Sequence, residues 1–282
     1  MDIETVNLRK GKLPADYVGG AKYEKKFLGE LIRKDGSYYS RLERREYYSP
    51  TEKIHPAKTP VHVARWAIQR YTEPNDWVLD PTIGTGTTAV EALLLGRNAV
   101  GMEIEYIDVI RESVKANNPL KKKYRILDGD ARQIGKYISD LSFALVVNNP
   151  PYSGDVRQTR FAEKDRKGKW LNYMSQYDGR LPNLAFLGEN EEYWSTMGSI
   201  YRQCIDRLKK GGRFVIGIKD MMRNRRPFLL PERFGDLLTA IGMTYEGMAV
   251  LKHHPTTLHL NTYEKKFGVR PPLYQAILVF RR

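Results

Sequence analysis

From Pro60 onward the apolar positions change period several times, and each change marks a new element. Val63, Trp66, Ala67 and Arg70-Tyr71 recur at helical spacing until the breaker TEPND, and the short run WVLD at 77–80 then reads as a strand. A glycine-rich turn, PTIGTGTT, leads into the helical AVEALLLG, which Gly96 ends; AVGMEI is a second strand, and Asp108 to Asn117 a helix. YRILDGDA gives a third strand, FALVVNNPPY a fourth, YWSTMGSIYRQCIDRLKKGG a helix and RFVIGIKD a fifth strand. Strands that alternate with helices in this way predict an α/β domain on a parallel sheet. Beyond them PERFGDLLTAIG is helical, while MTYEGMAVLKHH and PLYQAILVFRR predict an antiparallel hairpin at the end of the sheet.

Three stretches lack a period. Residues 1–52 are polar, basic and rich in tyrosine (KYEKKF, SYYSRLERREYY), and read as an extension with one short helix ahead of a main domain at 53–282. Residues 153–192 and 253–271 are irregular insertions within that domain, and connections of such length are commonly functional.

Composition narrows the partners. The chain has 282 residues with 41% hydrophobic content, enough for one sizeable core, and 47 Lys and Arg against 33 Asp and Glu leave a net charge of +14. That excess favours a polyanion, with nucleic acid first among candidates, although solvated lysines alone also make a protein basic. A single cysteine, Cys204, excludes an internal disulfide framework and a cysteine-rich zinc site. No run approaches the ~18 apolar residues of a membrane span, and MDIETVNLRK has no apolar signal core, so a cytoplasmic protein with no membrane partner is expected. The five histidines form no metal-ligand pattern with acids, so no metal is expected.

Two sites carry candidate chemistry. In DPTIGTGTT, Asp80 ends a strand, Gly84 and Gly86 leave the backbone open to close approach, and the next helix offers free amide hydrogens. No lysine follows the glycines and the three-glycine dinucleotide spacing is missing, so neither a phosphate loop nor a nicotinamide-dinucleotide site fits. Glu103, at the end of the second strand, can accept hydrogen bonds from the two hydroxyls of a ribose, and Asp130 in DGDAR can take one from an adenine amino group. A tight strand-helix turn and a turn aspartate are the structural alternatives for these residues. At NPPY, 149–152, an asparagine and two prolines present acceptors but few donors, and Tyr152 offers a stacking face. An exocyclic amino group has two hydrogens to give to the Asn149 oxygen and the Pro150 carbonyl.

DPTIGTGTT, GMEIE, DGDAR and NNPPYSG, in that order and preceded by KIHPAKTP at 53–60, resemble the successive motifs of S-adenosylmethionine-dependent DNA amino-methyltransferases, over about residues 53–220. The resemblance implies the class I methyltransferase fold, a doubly wound Rossmann-like sheet of seven mostly parallel strands with a C-terminal antiparallel hairpin, and S-adenosyl-L-methionine as cofactor. It implies that Lys58, Thr59 and Pro60, with Asp80, Pro81, Thr82, Gly84, Thr85, Gly86, Thr87 and Thr88, hold the methionine moiety. Glu103 with Ile104 would hold the ribose, Asp130 with Ala131 the adenine, and Asn149, Pro150, Pro151 and Tyr152 the target base. The family usually has phenylalanine at the positions of Thr82 and, often, Thr59, so the apolar wall must come from elsewhere. The motif order is similar to the group that modifies adenine N6. Cytosine N4 and RNA substrates are the nearest alternatives, with glutamine side chains also known for NPPY, and a non-catalytic nucleic-acid-binding subunit is the alternative of another class.

Double-stranded DNA is then the expected partner, with a cognate restriction endonuclease as a second one that the resemblance allows. Arg157, Arg160, Lys169, Arg223, Arg225, Arg226, His253, His254, Lys265 and Lys266 are the expected DNA contacts, whereas Trp170, Tyr173 and Tyr177 read first as a small core of their own insertion and only second as stacking platforms.

Overall fold

The computed structural model describes residues 5–17, 19–36, 59–151, 163–164, 170–171, 184, 187, 190–223, 226–253, 265, 268 and 272–282. Its strands are β1 (Asn7–Arg9), β2 (Phe27–Ile32), β3 (Trp77–Asp80), β4 (Asn98–Glu103), β5 (Tyr124–Asp128), β6 (Phe143–Asn148), β7 (Glu163–Lys164), β8 (Trp170–Leu171), β9 (Leu208–Lys219), β10 (Met221–Arg223), β11 (Arg226–Phe228), β12 (Thr244–Lys252) and β13 (Tyr274–Arg281). Its helices are α1 (Val61–Tyr71), α2 (Thr87–Leu94), α3 (Ile107–Ala116), α4 (Ile134–Tyr137), α5 (Glu191–Asp206) and α6 (Leu230–Ala240).

Nine strands form one sheet in the order β1-β2-β12-β13-β9-β6-β3-β4-β5. The strands from β9 to β5 are parallel, and β13 runs antiparallel between β9 and β12. The sheet is mixed because β13 returns through a hairpin from β12 and needs no crossover helix. The chain winds outward through β3, β4 and β5 and then back to β6. The strand order therefore reverses between β3 and β6, and at such a switch point the loops diverge and leave a crevice at the carboxyl ends of the strands.

Both faces of the sheet are covered, which explains why its strands read as apolar runs without alternation. On one face Phe143, Phe214, Ile216 and Leu278 pack with Tyr193, Met197 and Tyr201 of α5 and Phe234 of α6. On the other, Leu145, Val147, Val215 and Ile277 pack with Val63 and Ala67 of α1, Val90 and Leu93 of α2 and Ile110 of α3. Buried Arg65 of α1 donates to Glu91 of α2 at 2.7 and 3.3 Å and fixes these two helices together.

Three differences from the sequence reading stand out. The basic stretch at 1–52 does not lie outside the sheet where it is described: β2 pairs in parallel with β12, and β1 antiparallel with β2. The sheet therefore has two strands beyond the expected seven, and the β12-β13 hairpin lies inside it rather than at its edge. These strands escaped detection because β2, FLGELI, is short, and Gly29 at φ +140° interrupts its period. Finally, α5 stops at Asp206, and LKKGG opens β9. Gly211, at φ +77°, bends the polar start of that strand.

Candidate functional site

The turn after β3 is built around a buried acid. Asp80 is fully buried, accepts from Thr88 Oγ1 at 2.6 Å, from the Thr82 amide at 3.2 Å and from Asn148 Nδ2 at 3.0 Å, and its carboxyl is pushed up to about 6 by burial despite those donors. Its oxygens hold the turn to α2 and to β6. Gly84 and Gly86 have φ of +57° and +90°, left-handed values that let the chain turn sharply into α2. A Cβ on Gly86 would lie 2.9 Å from Ile110 Cγ2. The Ile83 amide donates to Met102 O at 3.1 Å, which ties the turn to β4.

Glu103, at the end of β4, faces the same turn. Its Oε2 accepts from the Gly84 amide at 2.9 Å, and its Oε1 from the amides of Ile104 at 2.9 Å and Glu105 at 3.0 Å. Burial outweighs these three donors and lifts the carboxyl to about 7. At the end of β5, Asp130 caps a short 3-10 turn at Ala131–Gln133, and both its oxygens are taken by Arg132, through the amide at 3.0 Å and Nε at 2.8 Å. Ala131 is buried beside it. Thr59 and Pro60 lead into α1, where Pro60 O accepts from the Val63 amide at 3.0 Å. Lys58 lies outside the described residues.

Asn148, which the sequence reading passed over, joins the two halves of the site. It is fully buried, donates through Nδ2 to Asp80 and, at 2.8 Å, to Thr82 Oγ1, and accepts at Oδ1 from Tyr201 Oη at 2.8 Å. Thr82, the departure from the family's phenylalanine, thus serves as an acceptor for this amide. The signal was in the sequence: a second asparagine at the end of an otherwise apolar strand is a buried amide in need of partners.

Next to it, Asn149 has a different environment. Its Oδ1 is buried and has no hydrogen-bond partner among the described residues. Pro150 is buried, and the Pro151 carbonyl accepts from Tyr193 Oη at 2.7 Å, which fixes the turn that follows. Tyr152 lies outside the described residues. At the end of β9, Asp220 is 4% exposed, and its Oδ1 is also unpartnered there; burial, with Glu232 adding to it, pushes the carboxyl up to about 7. Asp16 reaches the same rim from the N-terminal segment, accepting from Tyr274 Oη at 2.7 Å and Lys252 Nζ at 3.1 Å.

The expected DNA contacts divide similarly. Arg223 and Arg226 are register partners in the β10-β11 hairpin that follows β9 at the rim, and Lys265 is exposed. His253 follows β12, with Nε2 3.2 Å from Gln275 Oε1. Within the 153–192 insertion, Glu163 and Lys164 pair with Leu171 and Trp170, β7 with β8, where no strand was expected. Arg157, Arg160, Lys169, Tyr173, Tyr177, Arg225, His254 and Lys266 lie outside the described residues. Among the described residues no cluster of histidine, cysteine and acids could hold a metal ion, and no helix is long and apolar enough to cross a membrane.

A nucleoside with an amino-acid tail fits the β3-β4 half. Thr85 Oγ1 is buried there without a hydrogen-bond partner among the described residues, between two glycines that leave the backbone open, and Glu103 lies across the turn. These groups suit the hydroxyls and charged groups of S-adenosylmethionine.

Comparison with known proteins agrees with the motifs. Residues 10–112 match the N6/N4 methyltransferase family model, described as DNA methylase. The type II methyltransferase M.HinfI of Haemophilus influenzae is 41% identical over 70 residues, 24% of this chain and 20% of that protein. M2.DpnII of Streptococcus pneumoniae is 38% identical over 66 residues, 23% of this chain and 25% of that protein. The matches thus span a quarter or less of the length of these relatives. In fold the chain is similar to the crystal structure of TrmN from Thermus thermophilus, with a TM-score of 0.50 and 16% identity, over 84% of this chain and 52% of that one. Over the matched segments the chain is thus similar to DNA methylases of the N6/N4 family, and its fold is similar to that of TrmN.

Proposed function

We propose that this chain transfers a methyl group from S-adenosylmethionine to the exocyclic N6 amino group of adenine in double-stranded DNA, the base having left its stack. The observation that carries this reading is the buried, unpartnered Asn149 Oδ1, placed at the strand-order reversal next to the glycine turn and Glu103. A buried acceptor without a donor costs about 1–3 kcal/mol, a cost offset when a ligand amino group supplies the donor.

S-adenosylmethionine, when bound, supplies an electrophilic methyl group. The chain's part is to hold and orient the nucleophile. Asn149 Oδ1 and the Pro150 carbonyl accept the two amino hydrogens, which localises the nitrogen lone pair and directs it out of the base plane. Tyr193, by holding the Pro151 carbonyl, keeps this acceptor edge in place. Asn148, bound to Asp80 and Thr82, couples the target strand to the cofactor turn, so that both halves keep one register. No general base is required before transfer, because the proton leaves the nitrogen after the bond to carbon has formed.

Adenine is favoured over cytosine by the motif order, cofactor half first and NPPY second. The net charge of +14, the Arg223-Arg226 hairpin and Lys265 support a duplex gripped by its phosphates. The test incubates the protein with methyl-labelled S-adenosylmethionine and DNA, RNA and protein acceptors, and identifies the modified nucleoside. Label in N6-methyladenine of DNA is expected. Label only in RNA or protein rejects the reading, and N4-methylcytosine in DNA corrects the base.

A further inference from the structure

The unpartnered amide oxygen of Asn149 faces a second amide that the motifs do not name. A Cβ built on Gly217 of β9 would lie 2.5 Å from Asn149 Oδ1 and 2.7 Å from Gln275 Nε2. The two side chains therefore converge over one glycine, from β6 on one side and β13 on the other, and the missing side chain at 217 is what gives them room. Gln275 is the second residue of β13, opposite Lys219 in the β9 register, and is 4% exposed, an unusual place for a glutamine unless its amide has a partner. Its Oε1 lies 3.2 Å from His253 Nε2, and the His253 amide donates to Leu273 O at 2.7 Å, closing the end of the β12-β13 pair. The Gln275 amide satisfies both neighbours when His253 carries its proton on Nε2. With its oxygen accepting from the imidazole N–H, its Nε2 hydrogens face the Asn149 side; the flipped amide would set two carbonyl oxygens against each other over Gly217.

One acceptor and one donor side by side match one edge of a base. An amino group gives a hydrogen to the acceptor, and the ring nitrogen next to the amino-bearing carbon takes one from the donor; adenine presents N6 and N1 in this way, and cytosine N4 and N3. We propose that Gln275 is a substrate-contacting residue of the methyl-transfer site, donating from Nε2 to the ring nitrogen adjacent to the target amino group while Asn149 Oδ1 accepts from the amino group, with His253 as the positioning residue that orients Gln275. This rests on the methyltransferase reading above and adds a residue from the last strand, far in sequence from NPPY. It accounts for the bare Gly217 floor and for a glutamine at a buried strand end. It also makes the pocket select against bases that carry a ring N–H beside a carbonyl, since guanine N1 and thymine N3 would set donor against donor.

A cycle that changes protein and base together tests the pairing. Duplexes are built on the site mapped by the nucleoside assay, with the target adenine or its 1-deaza analogue, or 3-deazacytosine where cytosine proves to be the target. Each is methylated by the wild-type protein and by Gln275→Met, which keeps the side-chain length and lacks the donor. Each single change is expected to lower kcat/KM about 10-fold, the scale of one hydrogen bond at a buried site, and both together no more than either alone. Gln275→Glu, which sets an acceptor against the ring nitrogen, is expected to lose more than Gln275→Met on the natural base and to recover part of that loss on the deaza base. A merely structural glutamine would not produce that rescue. Binding of S-adenosylhomocysteine to both variants is expected to match the wild type, which reports an intact fold. Multiplicative losses in the cycle, full activity of Gln275→Met, or variants that no longer bind S-adenosylhomocysteine overturn the proposal alone. Absence of methyl transfer to DNA by the wild-type protein overturns the functional reading, and the proposal with it.

Discussion

Along one rim of the sheet, the ends of β3 and β4 and the ends of β6, β9 and β13 meet their surroundings in opposite states. In the first region the carboxylates are satisfied from within: Asp80 by Thr88, Thr82 and Asn148, and Glu103 by three backbone amides. In the second, Asn149 Oδ1 and Asp220 Oδ1 are buried with no partner among the described residues. Carboxylates that are held before a ligand arrives position it at little cost in ordering, with Thr85 Oγ1 the group left open to it, whereas an orphaned amide oxygen and acid store a demand that the right ligand satisfies. The contrast suits a cofactor half that is preorganised and a target half that selects.

The comparison breaks most visibly at Asn148, which belongs to both regions. Asn148→Ala leaves Asp80 Oδ1, Thr82 Oγ1 and Tyr201 Oη short of a partner, and is expected to cost about 3 kcal/mol in urea unfolding, with both cofactor binding and methyl transfer impaired. Gly86→Ala puts a side chain on a residue at φ +90° and close to Ile110, and is expected to cost about 2 kcal/mol in the same assay, with loss of cofactor affinity.

Glu103 sharpens the contrast through pH. Its carboxyl, raised to about 7, must ionise to accept fully from a ribose, so affinity for S-adenosylhomocysteine is expected to rise between pH 6 and pH 8 in calorimetric titrations. Glu103→Gln is expected to flatten that rise and to bind about 10-fold more weakly at pH 8. Asp220 gives the smallest effect. An acid whose folded value lies above its unfolded one contributes its full stability below about pH 4 and loses it as pH rises through about 7. Asp220→Asn is therefore expected to raise the melting temperature by about 2–4 °C at pH 8, the equivalent of about 1 kcal/mol, and to leave it nearly unchanged at about pH 4.

The two regions also differ in how far the sequence revealed them. The proposed cofactor half lies on consecutive elements, so DPTIGTGTT and GMEIE follow one another in the chain as they do in space, and positive-φ glycines are visible by residue type. NPPY was legible for the same reason, as a polar break after a buried strand. Gln275 and Gly217 were not, because β13 is brought beside β9 and β6 only by tertiary pairing, and a glutamine in an apolar strand has no local signature. Asp130 illustrates the opposite limit: its place at a strand end was legible, but its pairing with Arg132 two residues on was not. The strands β1 and β2 were missed because β2 finds its partner β12 more than 200 residues away, and both are too short to show a period, that of β2 being interrupted by Gly29.

In the proposed reaction Asn149 receives the amino group that becomes methylated. Asn149→Ala, assayed with labelled S-adenosylmethionine and DNA alongside calorimetric binding of S-adenosylhomocysteine, tests it most directly. The account predicts a fall in methyl transfer of about 10²–10³-fold or more, the scale for removing one acceptor aimed at the reacting group, with cofactor affinity within about 2-fold of the wild type. Full methyl transfer by Asn149→Ala would contradict it.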